Sequence, residues 1–216
     1  MKPRILTLSA LLIFSSCKNQ SSSPTQPSAS NDAVTVYYPL NSGDTWVYEM
    51  FAADTSFNFT SENDSDIVSI GGDSLLGGTK YKIVNSSRWG VSLIRDSANY
   101  IVDQSGWKMF TNNGTSDYLV NQYQPYSDST LYNTAVVRSS DSTCVVPAGT
   151  FQARFTVGTI TSTIPRPPAL MKNNYYFAFS KNVGLILKRM IYSDANNDFR
   201  FIEERLVRYH ITLNTN

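Results

Sequence analysis

The chain has 216 residues, of which 16% are charged and 12% aromatic, and its formal net charge is +1. Its 18 basic and 17 acidic residues lack the basic excess that a nucleic-acid-binding surface needs, so we expect no nucleic-acid partner. The length is enough for one large domain with a hydrophobic core of its own.

An export signal is predicted at the N-terminus, over residues 1–16. Lys2 and Arg4 come first, residues 5–14 form an apolar run, and Ser15 and Ser16 follow. A basic start, an apolar middle and small residues before a cleavage point are the parts of a secretory signal peptide. The apolar run is too short for a transmembrane helix, which needs about 20 apolar residues.

Cys17 makes this signal a predicted lipidation site. Phe14-Ser15-Ser16-Cys17 resembles the bacterial lipobox, with Phe14 where Leu is more common. The resemblance implies a diacylglycerol on the Cys17 thiol, cleavage before Cys17 and acylation of the new amino terminus. Several acyl chains on one residue attach a protein stably, whereas a single chain anchors it only marginally. We therefore expect the membrane to be a partner through the N-terminal lipid.

The residues after the cysteine predict a tether. Residues 17–33 hold the lipidated Cys17 and a Ser- and Pro-rich segment without a large apolar side chain, which cannot bury enough surface to fold. As a flexible coil, this segment spans about 20–25 Å. Lys18 and Asn19 stand where enterobacterial lipoproteins retained at the inner membrane usually carry Asp. By that analogy we expect the outer membrane, with the domain facing the periplasm or the cell surface.

Residues 34–216 predict a mostly β domain. Residues 151–157 alternate apolar and polar side chains, so Phe151, Ala153, Phe155 and Val157 share one face, as in a half-buried antiparallel strand. Other segments rich in β-branched and aromatic residues predict further strands: 46–51, 81–84, 91–94, 100–102, 107–111, 134–138, 175–179, 185–192 and 199–213. We expect an all-β fold, one large antiparallel sheet that is curved or partly closed, half-barrel or barrel-like, with few short helices.

Turns and breaks are predicted between these strands. Turn signals lie at Gly71-Gly72, Gly77-Gly78, Ser105-Gly106 and residues 96–99, 112–114 and 194–198. Residues 117–126 are the best candidate for a helical turn, and residues 165–168 predict an exposed proline-rich loop.

Three short motifs resemble an uncharacterised family of bacterial lipoprotein domains. Residues 39–48 resemble its PLxxGxxWxY stretch, residues 146–151 its VPAGTF turn and residues 183–186 its GVGLV hairpin start, with Asn182 where Gly is common. The resemblance implies a mostly β fold and carries no activity. Independently of it, Gly43 and Gly149 permit tight turns, and Trp46 and Phe151 are expected to anchor strands in the core.

No catalytic constellation is evident, so we expect a protein that is not an enzyme. Gly72-Asp73-Ser74-Leu75 matches the nucleophile signature of a hydrolase family, but the single histidine, His210, lacks an aspartate three residues before it. Glu203 and Glu204 are adjacent and face opposite sides of a strand, so they cannot act as a carboxylate pair; Arg205 and Arg208 are expected to neutralise them or their neighbours.

Metal and cofactor sites are not predicted either. Asp194, Asn196 and Asp198 have the first spacing of a calcium loop, but Phe199 and Arg205 replace the required Gly and Glu, so a hairpin tip is expected. Cys144 is left without a disulfide partner if Cys17 is lipidated, and it predicts a small buried strand residue.

Four Asp-Ser-x tripeptides resemble the O-glycan acceptor motif of one bacterial phylum. All four are also expected to be turns, in which Asp and Ser are common without any modification. They begin at Asp73, Asp96, Asp128 and Asp141.

Two functions from different classes remain open for a lipid-anchored, non-enzymatic β domain. In the first, the curved sheet encloses an apolar ligand, with some of the 13 Tyr, 11 Phe and 3 Trp lining a cavity. In the second, the domain is a structural or adhesive module that binds an envelope protein or glycan through exposed aromatic residues. An internal apolar cavity favours the first, and a solid core the second. An enzyme, a hydrolase in particular, is the third alternative.

Overall fold

A computed structural model describes residues 33–54, 58–112, 120–125, 130–137, 141–162, 175–193 and 199–212. Within these residues there is one 3-10 helix, Val34–Val36, and there are thirteen strands. The strands are β1 (Thr45–Ala53), β2 (Phe59–Leu76), β3 (Thr79–Ser86), β4 (Gly90–Ser97), β5 (Tyr100–Asp103), β6 (Lys108–Thr111), β7 (Val120–Pro125), β8 (Thr130–Val137), β9 (Ser142–Val146), β10 (Gly149–Ser162), β11 (Tyr175–Ser180), β12 (Gly184–Ser193) and β13 (Phe199–His210). In this part of the chain, no helix has the length and apolar character needed to cross a membrane.

All of these strands belong to one antiparallel sheet, which confirms the predicted fold class. The order is β6-β5-β4-β3-β2-β1-β13-β12-β11-β10-β8-β7, and β9 pairs with the first part of β10. Most neighbours are consecutive hairpin strands, while the pairing of β1 with β13 joins the two ends of the domain.

The sheet curls so that β6, at one edge, contacts β10 and β11, which lie near the other edge. In β6, the Met109 carbonyl accepts a hydrogen bond from Thr156 Oγ1 of β10 at 3.1 Å. The Phe110 ring of β6 lies 4.6 Å from the Phe179 ring of β11, measured between centroids. These contacts cross the concave side of the sheet, which makes the fold a half-barrel with its core inside the curl.

The N-terminal segment fills part of that interior. Tyr37 and Tyr38 follow the 3-10 helix and are buried. The Tyr37 ring contacts Phe110, and the Tyr38 ring contacts Trp46 and Phe179. The segment therefore enters the domain as part of its core.

Two of the family-like motifs meet in the fold. The Trp46 indole N–H donates a 2.6 Å hydrogen bond to the Val183 carbonyl, and the Trp46 ring packs over Gly184. Gly184 has φ +100°, and a Cβ there would come within 3.2 Å of the indole nitrogen. Trp46 thus anchors β1 to the turn before β12.

The two predicted turn glycines, Gly43 and Gly149, have φ of +98° and +137°. Phe151 is only half-buried and packs on the edge of the core against Tyr209, so it anchors β10 less deeply than expected.

The sequence did not predict β2, the longest described strand. The predicted turn at Gly71-Gly72 is wrong, because these residues form a bulge inside β2, where the pairing with β3 shifts between Ile70 and Asp73. The first half of β2 is polar, and its pairing with β1 overrides its weak strand propensity, while β3 pairs with the second half, from Val68 onward.

The predicted helical turn over residues 117–126 is also wrong where it can be compared, because Val120–Pro125 is strand β7. The turns at Gly77-Gly78, 98–99 and 104–105 are present. The predicted loops at 165–168 and 194–198, and with them Asp194, Asn196 and Asp198, lie outside the described residues, as do the signal, Cys17 and nearly all of the tether.

Burial along β10 does not follow the predicted alternation of an apolar, buried face and a polar, exposed face. Ala153 is buried, but Phe155 and Val157 are half-buried, whereas Arg154 and Thr156 on the other face are buried inside the curl. The Arg154 guanidinium is accommodated there by hydrogen bonds to Asp141 and to Asn112. A polar side chain can face the interior because its partners lie on other strands, which alternation alone cannot reveal.

Candidate ligand-binding cavity

A cavity of about 310 Å³ opens on the concave side of the sheet. Its walls come from alternate residues of β2, β3 and β4, from β6, and from β11, β12 and β13 across the curl. The lining side chains are Tyr38, Tyr48, Asp66, Val68, Val84, Ser86, Trp89, Ser92, Ile94, Trp107, Met109, Phe177, Leu185, Lys188, Met190 and Glu204. Gly90 contributes backbone at the rim, and the cavity is partly open to the surface.

The walls are mainly aliphatic and aromatic. They arise because successive residues of a strand alternate between faces, so Val68, Val84 and Ile94 all point into the curl from neighbouring strands. Opposite them, Trp107 packs edge-on against Phe177 with centroids 5.8 Å apart. Such a surface binds the apolar part of a ligand without specific hydrogen bonds.

A polar cluster lies at one part of the cavity wall. Glu204 is 2% exposed, and its Oε1 accepts hydrogen bonds from Trp89 Nε1 at 2.7 Å and from Lys188 Nζ at 2.8 Å. The Lys188 ammonium also lies 5.2 Å from the centroid of the Trp89 ring. Trp89 is 39% exposed, so its ring reaches from the buried glutamate to the surface.

Asp66 is the second buried carboxylate in the cavity wall. Its Oδ1 accepts hydrogen bonds from Ser86 Oγ, Ser87 Oγ and the Arg88 backbone N–H at 2.8–3.1 Å. Within the described part of the chain, its Oδ2 accepts a shared hydrogen bond from Ser86 Oγ, at 2.8 Å. These bonds hold the turn between β3 and β4, which carries Trp89 over the cavity.

The two tyrosines in the wall, Tyr38 and Tyr48, have phenol pKa values above the ordinary value for tyrosine. Burial, with a smaller contribution from the Glu204 carboxylate, raises the pKa of Tyr38 to about 12. Burial also raises the pKa of Tyr48, with further contributions from Tyr38, Glu204 and Asp66. The Tyr48 hydroxyl donates a 2.9 Å hydrogen bond to the Leu185 carbonyl. Both phenols are therefore neutral when a ligand binds near pH 7.

Glu203, which is next to Glu204 in the sequence, lies on the opposite face of the sheet and has its own hydrogen-bond partners there. Glu203 accepts hydrogen bonds from Arg189 Nε at 2.8 Å, from Arg205 Nε at 2.6 Å and from the Tyr176 hydroxyl at 3.2 Å. As predicted, Glu203 and Glu204 face opposite sides, and Arg205 pairs with one of them. The sequence did not predict the cross-strand partners, Lys188 opposite Glu204 and Arg189 opposite Glu203.

The residues weighed for the hydrolase alternative do not come together. Ser74 lies in β2 opposite Tyr81, whereas His210 is exposed at the end of β13 opposite Thr45. Thr45 pairs with Ser69, and Ser74 lies roughly 15 Å farther along β2 by strand rise. Hydrogen bonds from Lys80 and then Lys82 lower the pKa of Asp73, which lies in the β2–β3 hairpin.

The remaining candidates occupy structural positions. Cys144 is buried in β9, and burial raises the pKa of its thiol. Asp73-Ser74-Leu75 is strand rather than turn. Of the other Asp-Ser-x tripeptides, Asp96-Ser97 are the last two residues of β4, with Ala98 in the turn that follows, and Asp141 precedes β9. Asp128-Ser129 lies outside the described residues. Among the described side chains, no three His, Cys, Asp or Glu residues are grouped to hold a metal ion.

The residues that shape the cavity were not singled out from the sequence. Trp89 and Glu204 are 115 positions apart, and Asp66 lies in a polar segment that does not look like a strand. The available signal was the pair Glu203-Glu204 inside an otherwise strand-like segment, since adjacent acids in a buried strand need partners on both faces.

Comparisons with known proteins found two similar solved structures. No family model and no curated protein matches the sequence. A crystal structure from Bacteroides fragilis, described as an exported protein with a YmcC-like fold, is 11% identical with a TM-score of 0.40, and the match covers 81% of this chain and 99% of that one. A crystal structure from Parabacteroides distasonis, described as a lipoprotein, is 14% identical with a TM-score of 0.40, covering 83% and 100% of the two chains.

Proposed function

We propose that this chain is a lipid-anchored bacterial envelope protein that binds a small apolar ligand inside its curled sheet. The observation that carries the proposal is the cavity of about 310 Å³ with largely aromatic and aliphatic walls. Small-molecule sites commonly have volumes of about 300–1,000 Å³, mostly apolar walls and a few polar groups that fix orientation. This cavity has all three properties.

The anchor completes the proposal. Phe14-Ser15-Ser16-Cys17 and the polar residues after it support lipidation at Cys17, and Lys18-Asn19 supports retention at the outer membrane. The three motifs support membership of the uncharacterised lipoprotein family. The cavity supports a ligand-binding role over the structural or adhesive one, and we assign the domain no catalytic step.

Filling the cavity tests the binding function. Ser92 faces the cavity opposite Val84, so Ser92→Phe places an aromatic ring in the space a ligand would use. We expect this variant to bind N-phenyl-1-naphthylamine, an uncharged apolar fluorophore, at least tenfold more weakly than the wild type in a fluorescence titration.

The matched control is Val91→Phe, because Val91 is the adjacent residue on the opposite face and is 68% exposed. Its affinity is expected to stay within twofold of the wild type. Equal binding by the two variants would show that the fluorophore does not occupy the cavity and would contradict the proposed function.

A further inference from the structure

We infer that the ligand of this cavity carries a positively charged amine, held beside Glu204 and Asp66, with its hydrocarbon part against the apolar walls. The inference rests on the proposed function and adds the chemical class of the ligand.

The first argument is the charge of the wall. The lining side chains include two carboxylates, Asp66 and Glu204, and one ammonium, Lys188, which gives a formal net charge of −1. The two other ionisable groups in the wall are Tyr38 and Tyr48, which are neutral. An anionic ligand adds like charge to a poorly solvated site, whereas a cationic ligand brings the site to neutrality.

The second argument is the hydrogen bonding of Asp66, which is 0% exposed. Its partners among the described residues are two serine hydroxyls and one backbone N–H, and no described cation pairs with it. Among the described residues, Oδ2 has one shared hydrogen bond. A buried carboxylate without a cationic partner is costly, and an ammonium group supplies that partner.

The third argument is the aromatic content of the site. Tyr38, Tyr48, Trp89, Trp107 and Phe177 all line the cavity. The faces of aromatic rings attract cations, and Trp does so most strongly. Lys188 already lies over the Trp89 ring in this way. An alkylamine can therefore use its ammonium at the carboxylates and its chain against the apolar walls.

The test compares three probes of equal chain length on the purified full chain: decylamine, decanol and decanoic acid. Each is titrated against bound N-phenyl-1-naphthylamine at pH 7. We expect decylamine to bind at least tenfold more tightly than decanol, and decanoic acid to bind most weakly. In Asp66→Asn, decylamine is expected to lose at least fivefold in affinity, while decanol stays within twofold.

Two further variants make the result specific. Glu204→Gln removes the same charge at the second carboxylate, and it replaces Asp66→Asn if that variant loses the far-UV circular dichroism of the wild type. Asp73→Asn removes a charge from the same strand as Asp66 but outside the cavity, so its probe affinities are expected to match the wild type.

The two proposals fail differently. If decanoic acid binds most tightly, or the three probes bind equally, the amine assignment is wrong and the binding function stands. If none of the three probes binds and the fluorophore is not held in the cavity, the proposed function is wrong and the amine assignment falls with it.

Discussion

Single residues decide how this β domain tolerates buried charge. Four carboxylates among the described residues are buried, at Asp44, Asp66, Glu203 and Glu204. Each accepts hydrogen bonds from identified donors, and Asp44, for example, accepts from the Asn41 and Thr212 backbone N–H groups. Glu203 and Glu204 have cationic partners, whereas the described hydrogen bonds of Asp44 and Asp66 come from uncharged donors. Of these last two carboxylates, Asp66 lines the cavity.

At the residue scale, we also expect Tyr38 to make the free energy of unfolding depend on pH in the alkaline range. Its pKa is about 12 in the folded protein and about 10 in the unfolded chain, so between these values the unfolded state has lost a proton that the folded state keeps. Its stabilising contribution is complete below pH 10 and is lost as the pH rises toward 12. From pH 9 to pH 11, the free energy of unfolding should fall by about 1 kcal/mol more in the wild type than in Tyr38→Phe.

Urea denaturation at the two pH values measures this difference. Because Tyr176 is present in both proteins and Tyr38 does not contribute to its raised pKa, its titration cancels in the comparison. An equal loss of stability in wild type and variant would show that the Tyr38 phenol does not keep its proton through folding.

The orientation and burial of individual residues could be predicted only where they follow from the local sequence of one strand. The opposite orientation of Glu203 and Glu204 follows from strand geometry, and the buried Cys144 from its β-prone surroundings. Trp89, Lys188 and Asp66 could not be identified as neighbours of a cavity, because their contacts depend on which strands pair and how the sheet curls.

At the level of elements, the accuracy of the sequence interpretation followed the hydrophobic pattern. Segments with aromatic and β-branched residues, such as 81–84 and 100–102, are strands as predicted. In contrast, β2 begins with a polar segment and contains Gly71-Gly72, and both features are typical of loops. The polar segment is a strand because β1 pairs with it, and the half that contains the two glycines is a strand because β3 pairs with it.

Trp46 connects distant elements, and its loss should destabilise the fold. Trp46→Phe keeps an aromatic ring but leaves the Val183 carbonyl, which is buried, without the 2.6 Å indole hydrogen bond. An unsatisfied buried acceptor costs about 1–3 kcal/mol, and we expect the free energy of unfolding to fall by that amount in urea denaturation.

Trp107→Phe is the control, because it also keeps a ring, against Phe177, and removes no described side-chain hydrogen bond. A smaller destabilisation by Trp46→Phe than by Trp107→Phe would contradict the anchoring role of the indole.

At the scale of the whole molecule, a proposed membrane anchor and polar tether precede a half-barrel with an internal cavity. The fold class could be predicted because short strands and turn signals recur along the chain. The cavity could not, because 13 Tyr and 11 Phe can fill a core or line a space equally well. Their arrangement depends on the degree of curl, which is set by contacts such as Phe110 with Phe179.

Membrane attachment is expected to depend on a single residue, Cys17. Cys17→Ala should abolish attachment while the domain still folds, because the described core is built from residues that follow the tether. Detergent-phase partitioning measures attachment, and circular dichroism measures folding. Cys144→Ala is the control and should still partition with the detergent. Unchanged partitioning of Cys17→Ala would refute lipidation at this site.

The central claim is that the curled sheet holds a ligand, and native mass spectrometry of the gently extracted full chain tests it most directly. The mass under native conditions should exceed the mass after denaturation by that of a small molecule, and this excess should disappear in Ser92→Phe but persist in Val91→Phe. A wild-type protein whose native and denatured masses agree would contradict the claim.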